Sequence, residues 1–318
     1  MSHPIKPERL RLGDVVAIVA PASAPPDPRA IDRSVKALAK LGFQPRLAPN
    51  VRQRLGFLAG GDPARAADLM EMFLDSEVKA ILCLRGGYGS ARLLSLLDYP
   101  AVKKHPKIFI GCSDITSLHC ALLTRANLVS FHGPMLHSEL CADDLPAFTR
   151  QSLFRTVMEP SPPGGIRQGF LRKTVSILRG GTARGELVGG NLSVLCTTLG
   201  TPFQPSFKNK ILFLEDLSEK PFRFDRLLTH LWNAGVLQQV AGVAVGINRD
   251  CADPKAGGKE YRQTLRYVLR DRLLPLQVPV VTGLPFGHVP WNATLPVGVQ
   301  ALLDANHGDL IITQAAVA

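Results

Sequence analysis

The chain has 318 residues, 46% of them hydrophobic and 20% charged, enough for one large or two ordinary domains, each with its own core. Its formal net charge is +11, yet the basic residues form no single run with interleaved aromatics, which are only 6% of the chain, so nucleic acid is not an indicated partner; anionic small substrates or solubility explain the charge as well. No apolar run approaches the roughly 18 residues that cross a bilayer, and the short apolar run near the N-terminus reads as a strand and not as a secretory signal, so a cytoplasmic protein without membrane partners is expected.

In chain order, "VVAIVAPAS" (15 to 23) reads as a buried strand running into a Pro/Ser loop, and "PRAIDRSVKALAKLG" (28 to 42) as an amphipathic helix stopped by Gly42. "DPARAADLMEMFLDSEV" is a second helix, "KAILCLR" a strand, "SARLLSLLD" a helix, "KIFIG" a strand and "DITSLHCALLTRA" a helix. Near-continuous apolar strands alternating with helices describe a parallel sheet covered on both faces, with ligands bound where its strands end in loops. The pattern breaks at "EPSPPGGIRQGF", which is rich in Pro and Gly. The expectation is an N-terminal α/β domain over 1–158, a linker over 159–173 and a C-terminal domain over 174–318. That second half opens with the Gly-dense "SILRGGTARGELVGGNLSVLCTTLGTPF". It continues with the strand "KILFLED", the helix "RFDRLLTHLWNAG", the strand "VAGVAVG", the helix "YRQTLRYVLRDRLL", the strand "PVVTGLPFG" and a tail that reads as β-hairpins, a mixed α+β or barrel-like domain.

Six cysteines (Cys83, Cys112, Cys120, Cys141, Cys196, Cys251) lack C-x-x-C spacing, so neither a disulfide framework nor a structural zinc site is indicated, and no H-E-x-x-H spacing offers a catalytic metal. Four stretches place a glycine or a reactive side chain just after a strand. In "KIFIGCSDIT", Ser113 occupies the strand-to-helix turn, where a hydroxyl is pushed outward and the next backbone N–H points toward an oxyanion. Isoleucine replaces the second glycine of G-x-S-x-G, and from the stretch alone Ser113 or Asp114 reads more readily as a helix cap. In "CLRGGYGSARLL" the spacing fits no nucleotide motif; Gly86 or Gly87 either offers an N–H to an oxyanion or simply makes a tight turn. In "ILFLEDLSEK", Glu215 and Asp216 end a strand, suited to orienting a histidine, to capping or to solvent. In "TGLPFGHVPWNA", His288 has the best context for a general base, with His132 of "SFHGPML" as its rival.

Together and in this order, "VAIVAPAS", "LRGGYGSARLL", "FIGCSDIT", "FHGPM", "GELVGGNLSVL", "ILFLEDLSEKPFRFDRLLTHL" and "TGLPFGH" resemble the L,D-carboxypeptidases, the murein tetrapeptide carboxypeptidase family of serine peptidases, which includes microcin-immunity hydrolases. The resemblance runs from about residue 15 to 298. It implies a flavodoxin/amidotransferase-like parallel-sheet domain followed by the mixed domain, with a catalytic Ser113–Glu215–His288 triad at their interface. It further implies an oxyanion hole from the backbone N–H groups of Asp114 and Gly87, no cofactor, and a homodimer. The implied activity is metal-independent removal of the terminal D-alanine from peptidoglycan tetrapeptides. Cys112 stands where the family usually has Tyr or Phe; if Ser113 faces His288, Cys112 faces the interior. The acid-free run from Arg167 to Arg184, with Arg172, Lys173 and Arg179, either draws substrate carboxylates or is a solvated face. A hydrolase of aminoacyl-nucleotide amides ranks second, because only Trp232 and Trp291 are present for stacking on a base. A non-catalytic peptide-binding protein on the same scaffold is the remaining alternative.

Overall fold

The computed structural model describes residues 3–252 and 263–318. The first half runs β1 (Val15–Val19), α1 (Arg29–Lys40), β2 (Gln44–Leu47), α2 (Asp62–Leu74), β3 (Val78–Cys83), α3 (Tyr99–Lys104), β4 (Ile108–Gly111), α4 (Thr116–Ala121), β5 (Ser130–His132) and α5 (Ala147–Met158). Burial explains the alternation. Apart from the half-buried Val15, every residue of β1 is buried, whereas α1 buries Ala30, Ile31, Ser34 and Leu38 at helical spacing and turns its charges outward. The second half runs β6 (Gly164–Gly165), β7 (Ser176–Arg179), β8 (Thr182–Asn191), α6 (Leu192–Cys196), β9 (Ile211–Glu215), α7 (Pro221–Asn233), β10 (Gly242–Gly246), α8 (Leu265–Leu273), β11 (Val280–Leu284), β12 (Leu295–Val297), β13 (Gln300–Asp304) and β14 (Asp309–Ile312). The helix expected from Tyr261 thus has its first two residues outside the described ones.

The strands form two sheets, a mixed α/β architecture. The six-stranded sheet has the order β12-β5-β4-β3-β1-β2 and is parallel except for β12. The eight-stranded sheet has the order β6-β14-β13-β8-β9-β10-β11-β7, with β8 to β11 parallel and the outer strands antiparallel. It curls, so that a Cβ on Gly242 of β10 would come within 3.0 Å of Ala183 in β8 and Leu303 in β13. Two details were not legible as local patterns. Within 159–173, Gly164–Gly165 pairs with β14. And β12 is no hairpin arm: Leu295, Pro296 and Val297 pair with His132, Phe131 and Ser130, covering the open edge of the first sheet before the chain returns to the second.

Short 3₁₀ turns replace the expected helix over Ser90–Leu96 and, at Ser113–Ile115, the start of the helix expected from Asp114. Both sit at the carboxyl ends of first-sheet strands. There the loops after β1 and β3 meet, with Ser23 N donating to Gly86 O at 3.3 Å and Tyr88 N to Ser23 Oγ at 3.1 Å. In an open sheet ordered 2-1-3-4-5 this is the point where strand order reverses and ligands bind.

Candidate active site

Ser113 follows β4 with φ of +62°, a left-handed conformation that a non-glycine residue adopts only when its surroundings enforce it. Two features surround it. The 3₁₀ turn holding Ser90 is tied down by Asp114, whose Oδ2 accepts from Ser90 N at 2.8 Å and whose carbonyl accepts from Ser90 Oγ at 2.6 Å. Gly86 lies against the serine itself: a Cβ there would come 2.9 Å from Ser113 Cβ and 3.2 Å from its Oγ. A Cβ on Gly87 would instead meet the Ser23 side chain, and Gly87 takes a φ of +108°. Neither Ser113 nor Asp114 caps the helix beginning here; Asp114 braces the neighbouring loop.

Cys112, the other nucleophile candidate, has no exposed surface. Burial pushes its thiol well above the usual range, and the charges of Glu139 and Glu215 push it the same way. It is a packed side chain facing inward.

Glu215 and His288 come from the ends of β9 and β11 and meet directly. His288 Nδ1–H donates to Glu215 Oε2 at 2.7 Å, with the Glu215 side chain 0% and the His288 side chain 15% exposed. Close approach is possible because Gly287, at φ of +117°, has no side chain: a Cβ would sit 3.1 Å from Glu215 Oε2. Burial works to lower the imidazole's pKa, but the hydrogen bond to Glu215 and the charges of Glu215, Glu139 and Asp216 outweigh it, leaving His288 above its ordinary value. Asp216 does different work. Its carboxylate accepts from Asn191 Nδ2 at 2.9 Å, from Ser193 N at 2.9 Å and from Ser193 Oγ at 2.7 Å, fixing the start of α6.

The serine turn docks on the same strand ends. Asn191 N donates to Thr116 Oγ1 at 3.0 Å, and Asn191 is the ladder partner of Glu215. The carboxyl ends of β4, β8, β9 and β11 therefore converge on one site between the sheets. His288 opens onto a cleft of about 310 Å³. Chemically, a carboxylate-oriented imidazole and a serine in a left-handed turn, brought to one set of strand ends, are parts that acyl transfer needs.

His132 makes no hydrogen bond to the site. It is wholly buried, its ring meets Phe213 edge-on at 5.3 Å, and neither nitrogen has a hydrogen-bond partner among the described residues. Burial, then the nearby His119 and His288, push its pKa far down, so it is a neutral core residue. His119 is likewise structural, held by Gly111 O and Ser130 Oγ, with burial lowering its pKa to about 4. Of the basic run, Arg172, Lys173, Arg179 and Arg184 are exposed, Arg172 resting 3.3 Å from the centroid of the Trp291 ring. Among the described residues no group of three or more His, Cys, Asp or Glu is placed to hold a metal ion, and no helix is long and apolar enough to cross a membrane.

Three residues at the site escaped the sequence reading. Ser90 and Asn191 act through partners 24 and 75 residues away, which no local motif signals. Glu139 was detectable only as a lone carboxylate within an apolar stretch, "MLHSEL"; it is buried beside His288.

Residues 16–133 match the model of the LD-carboxypeptidase N-terminal domain, and residues 184–303 that of the LD-carboxypeptidase C-terminal domain. A probable murein peptide carboxypeptidase of Bacillus subtilis is 40% identical over 307 residues, covering 96% of this chain and 94% of its own length. A solved muramoyltetrapeptide carboxypeptidase from Oxalobacter formigenes has a TM-score of 0.81 at 32% identity, covering 93% of this chain and 97% of the other. The microcin C7 self-immunity protein MccF of Escherichia coli is 28% identical over 342 residues, covering 98% of this chain and 97% of its own length. A structure of MccF in complex with glutamyl sulfamoyl guanosine shares the fold at a TM-score of 0.88 and 23% identity, covering 99% of this chain and 100% of that one.

Proposed function

The chain belongs to the LD-carboxypeptidase family, a family of peptidases, and from that premise we propose that it is a serine-type carboxypeptidase that releases the terminal D-alanine of peptidoglycan tetrapeptides. The observation that carries this reading is the 2.7 Å bond between His288 and Glu215 at strand ends joined to the Ser113 turn.

In the reaction, Ser113 Oγ attacks the carbonyl carbon of the L,D-peptide bond as His288 Nε2 takes the hydroxyl proton. Glu215 holds the imidazole in the tautomer with Nδ1 protonated and stabilises the imidazolium that forms. The backbone N–H groups of Asp114 and Gly87 receive the developing oxyanion, with Gly86 leaving room beside the serine. The imidazolium then protonates the departing D-alanine nitrogen, leaving an acyl-serine. A water molecule, deprotonated by His288, attacks the ester, and the shortened peptide leaves as the serine recovers its proton. The reading includes a cytoplasmic location, expected from the sequence, and a homodimer, carried over from the family resemblance.

The relation to MccF supplies the competing substrate, an aminoacyl sulfamoyl nucleoside. Against it stands the aromatic supply: Arg172 covers one face of the Trp291 ring, and Trp232 packs against the core. Incubating the purified protein with a defined tetrapeptide and, separately, with glutamyl sulfamoyl guanosine tests the proposal. D-alanine release from the tetrapeptide is expected; cleavage of the nucleoside alone would reverse the assignment, and turnover of neither would favour a binding protein.

A further inference from the structure

Beside His288, the cleft is lined by Ser138, Glu139, Asp144 and Arg249. Glu139 is 7% exposed and sits in the wide helical turn 136–140. Its Oε2 accepts from Met135 N at 2.9 Å and from Ser138 Oγ, while its Oε1 has no hydrogen-bond partner among the described residues. A cleft-lining carboxylate with one oxygen tied and the other without a partner has a vacant acceptor site for one more donor.

Its position says which donor. Glu139 lines the same cleft as His288, so its carboxyl lies within reach of a substrate held at that histidine. D-alanine, the leaving residue, offers only a methyl group and a carboxylate, and a carboxylate would be repelled by Glu139 and Asp144. The residue whose carbonyl is attacked is the one that can bring a cation here.

Resting on the carboxypeptidase reading, we propose that Glu139 is a specificity residue that accepts the side-chain ammonium of a diamino acid at the penultimate position of the substrate. Burial raises the carboxyl to about pH 7, while the bonds from Ser138 and Met135 and the nearby His288 act the other way. A cation seated in the cleft therefore draws Glu139 into its charged form, and a side chain without a cation finds it half neutral.

The test compares D-alanine release from L-alanyl-γ-D-glutamyl-X-D-alanine with X as lysine or norleucine, which has nearly the same shape and no amine. For the wild type, kcat/KM should favour lysine by about tenfold to a hundredfold, the range of one charge-assisted hydrogen bond. In Glu139→Gln the ratio should collapse toward one, with Glu139→Asp between the two. A wild-type ratio near one, or a folded Glu139→Gln that keeps the wild-type ratio, would overturn the proposal; if Glu139→Gln does not fold, an undiminished ratio in Glu139→Asp does the same. Absence of D-alanine release from both peptides by the wild type is a separate outcome, which removes the carboxypeptidase reading and this one with it.

Discussion

The two halves of the candidate site are built by different means. The serine side is a backbone construction: a left-handed Ser113, a glycine against it and an aspartate that braces the adjoining loop. The histidine side is a side-chain construction: one hydrogen bond from His288 to the fully buried Glu215. Each half is therefore vulnerable in its own way. The first is disturbed by adding volume and the second by removing charge.

The largest effect expected on this contrast is from the charge. Glu215→Gln keeps the shape but presents an amide to Nδ1, and kcat/KM should fall by about 10³ to 10⁴-fold, measured with the tetrapeptide. The same variant sharpens the argument through pH. His288 must be neutral to act as base and its pKa lies above the ordinary 6.5, so kcat/KM of the wild type should rise with pH through a midpoint above that value. In Glu215→Gln the bond and charge that raise it are lost and the midpoint moves down. An unchanged midpoint would separate Glu215 from His288 titration.

On the serine side, Gly86→Ala adds one methyl group against Ser113, and a displacement of the nucleophile by a fraction of an ångström should cost about 10²-fold in kcat/KM. Circular dichroism should show the fold retained; an alanine variant of normal activity would remove the steric part of the account. The smallest effect is expected from Ser90→Ala. It leaves a carboxylate oxygen of Asp114 with its backbone partner but removes the bond to the Asp114 carbonyl, lowering stability by about 1 kcal/mol and activity by no more than about tenfold. Equilibrium denaturation and rate on one preparation check both numbers.

Much of the fold was legible because buried parallel strands leave continuous apolar runs, as in β1 and β9, and covering helices leave helical spacing, as in α1. Ser113, Glu215 and His288 stood out because each follows such a strand. What local reading missed is made by distant partners. Pro296 and its neighbours follow a turn-rich stretch and read as a hairpin arm, but the unpaired edge of β5 captures them. Gly164–Gly165 carries no side-chain pattern that announces a strand. Cys112 and Ser113 are adjacent in sequence, and only packing shows that the thiol is enclosed and the hydroxyl is not capping a helix.

That adjacency gives the most direct test. D-alanine release from the lysine tetrapeptide is measured side by side for wild type, Ser113→Ala and Cys112→Ala. The account predicts that Cys112→Ala retains activity within a few-fold, because the thiol only fills space, and that Ser113→Ala falls by at least about 10⁴-fold. Turnover that survives loss of Ser113 and disappears with loss of Cys112 would contradict it.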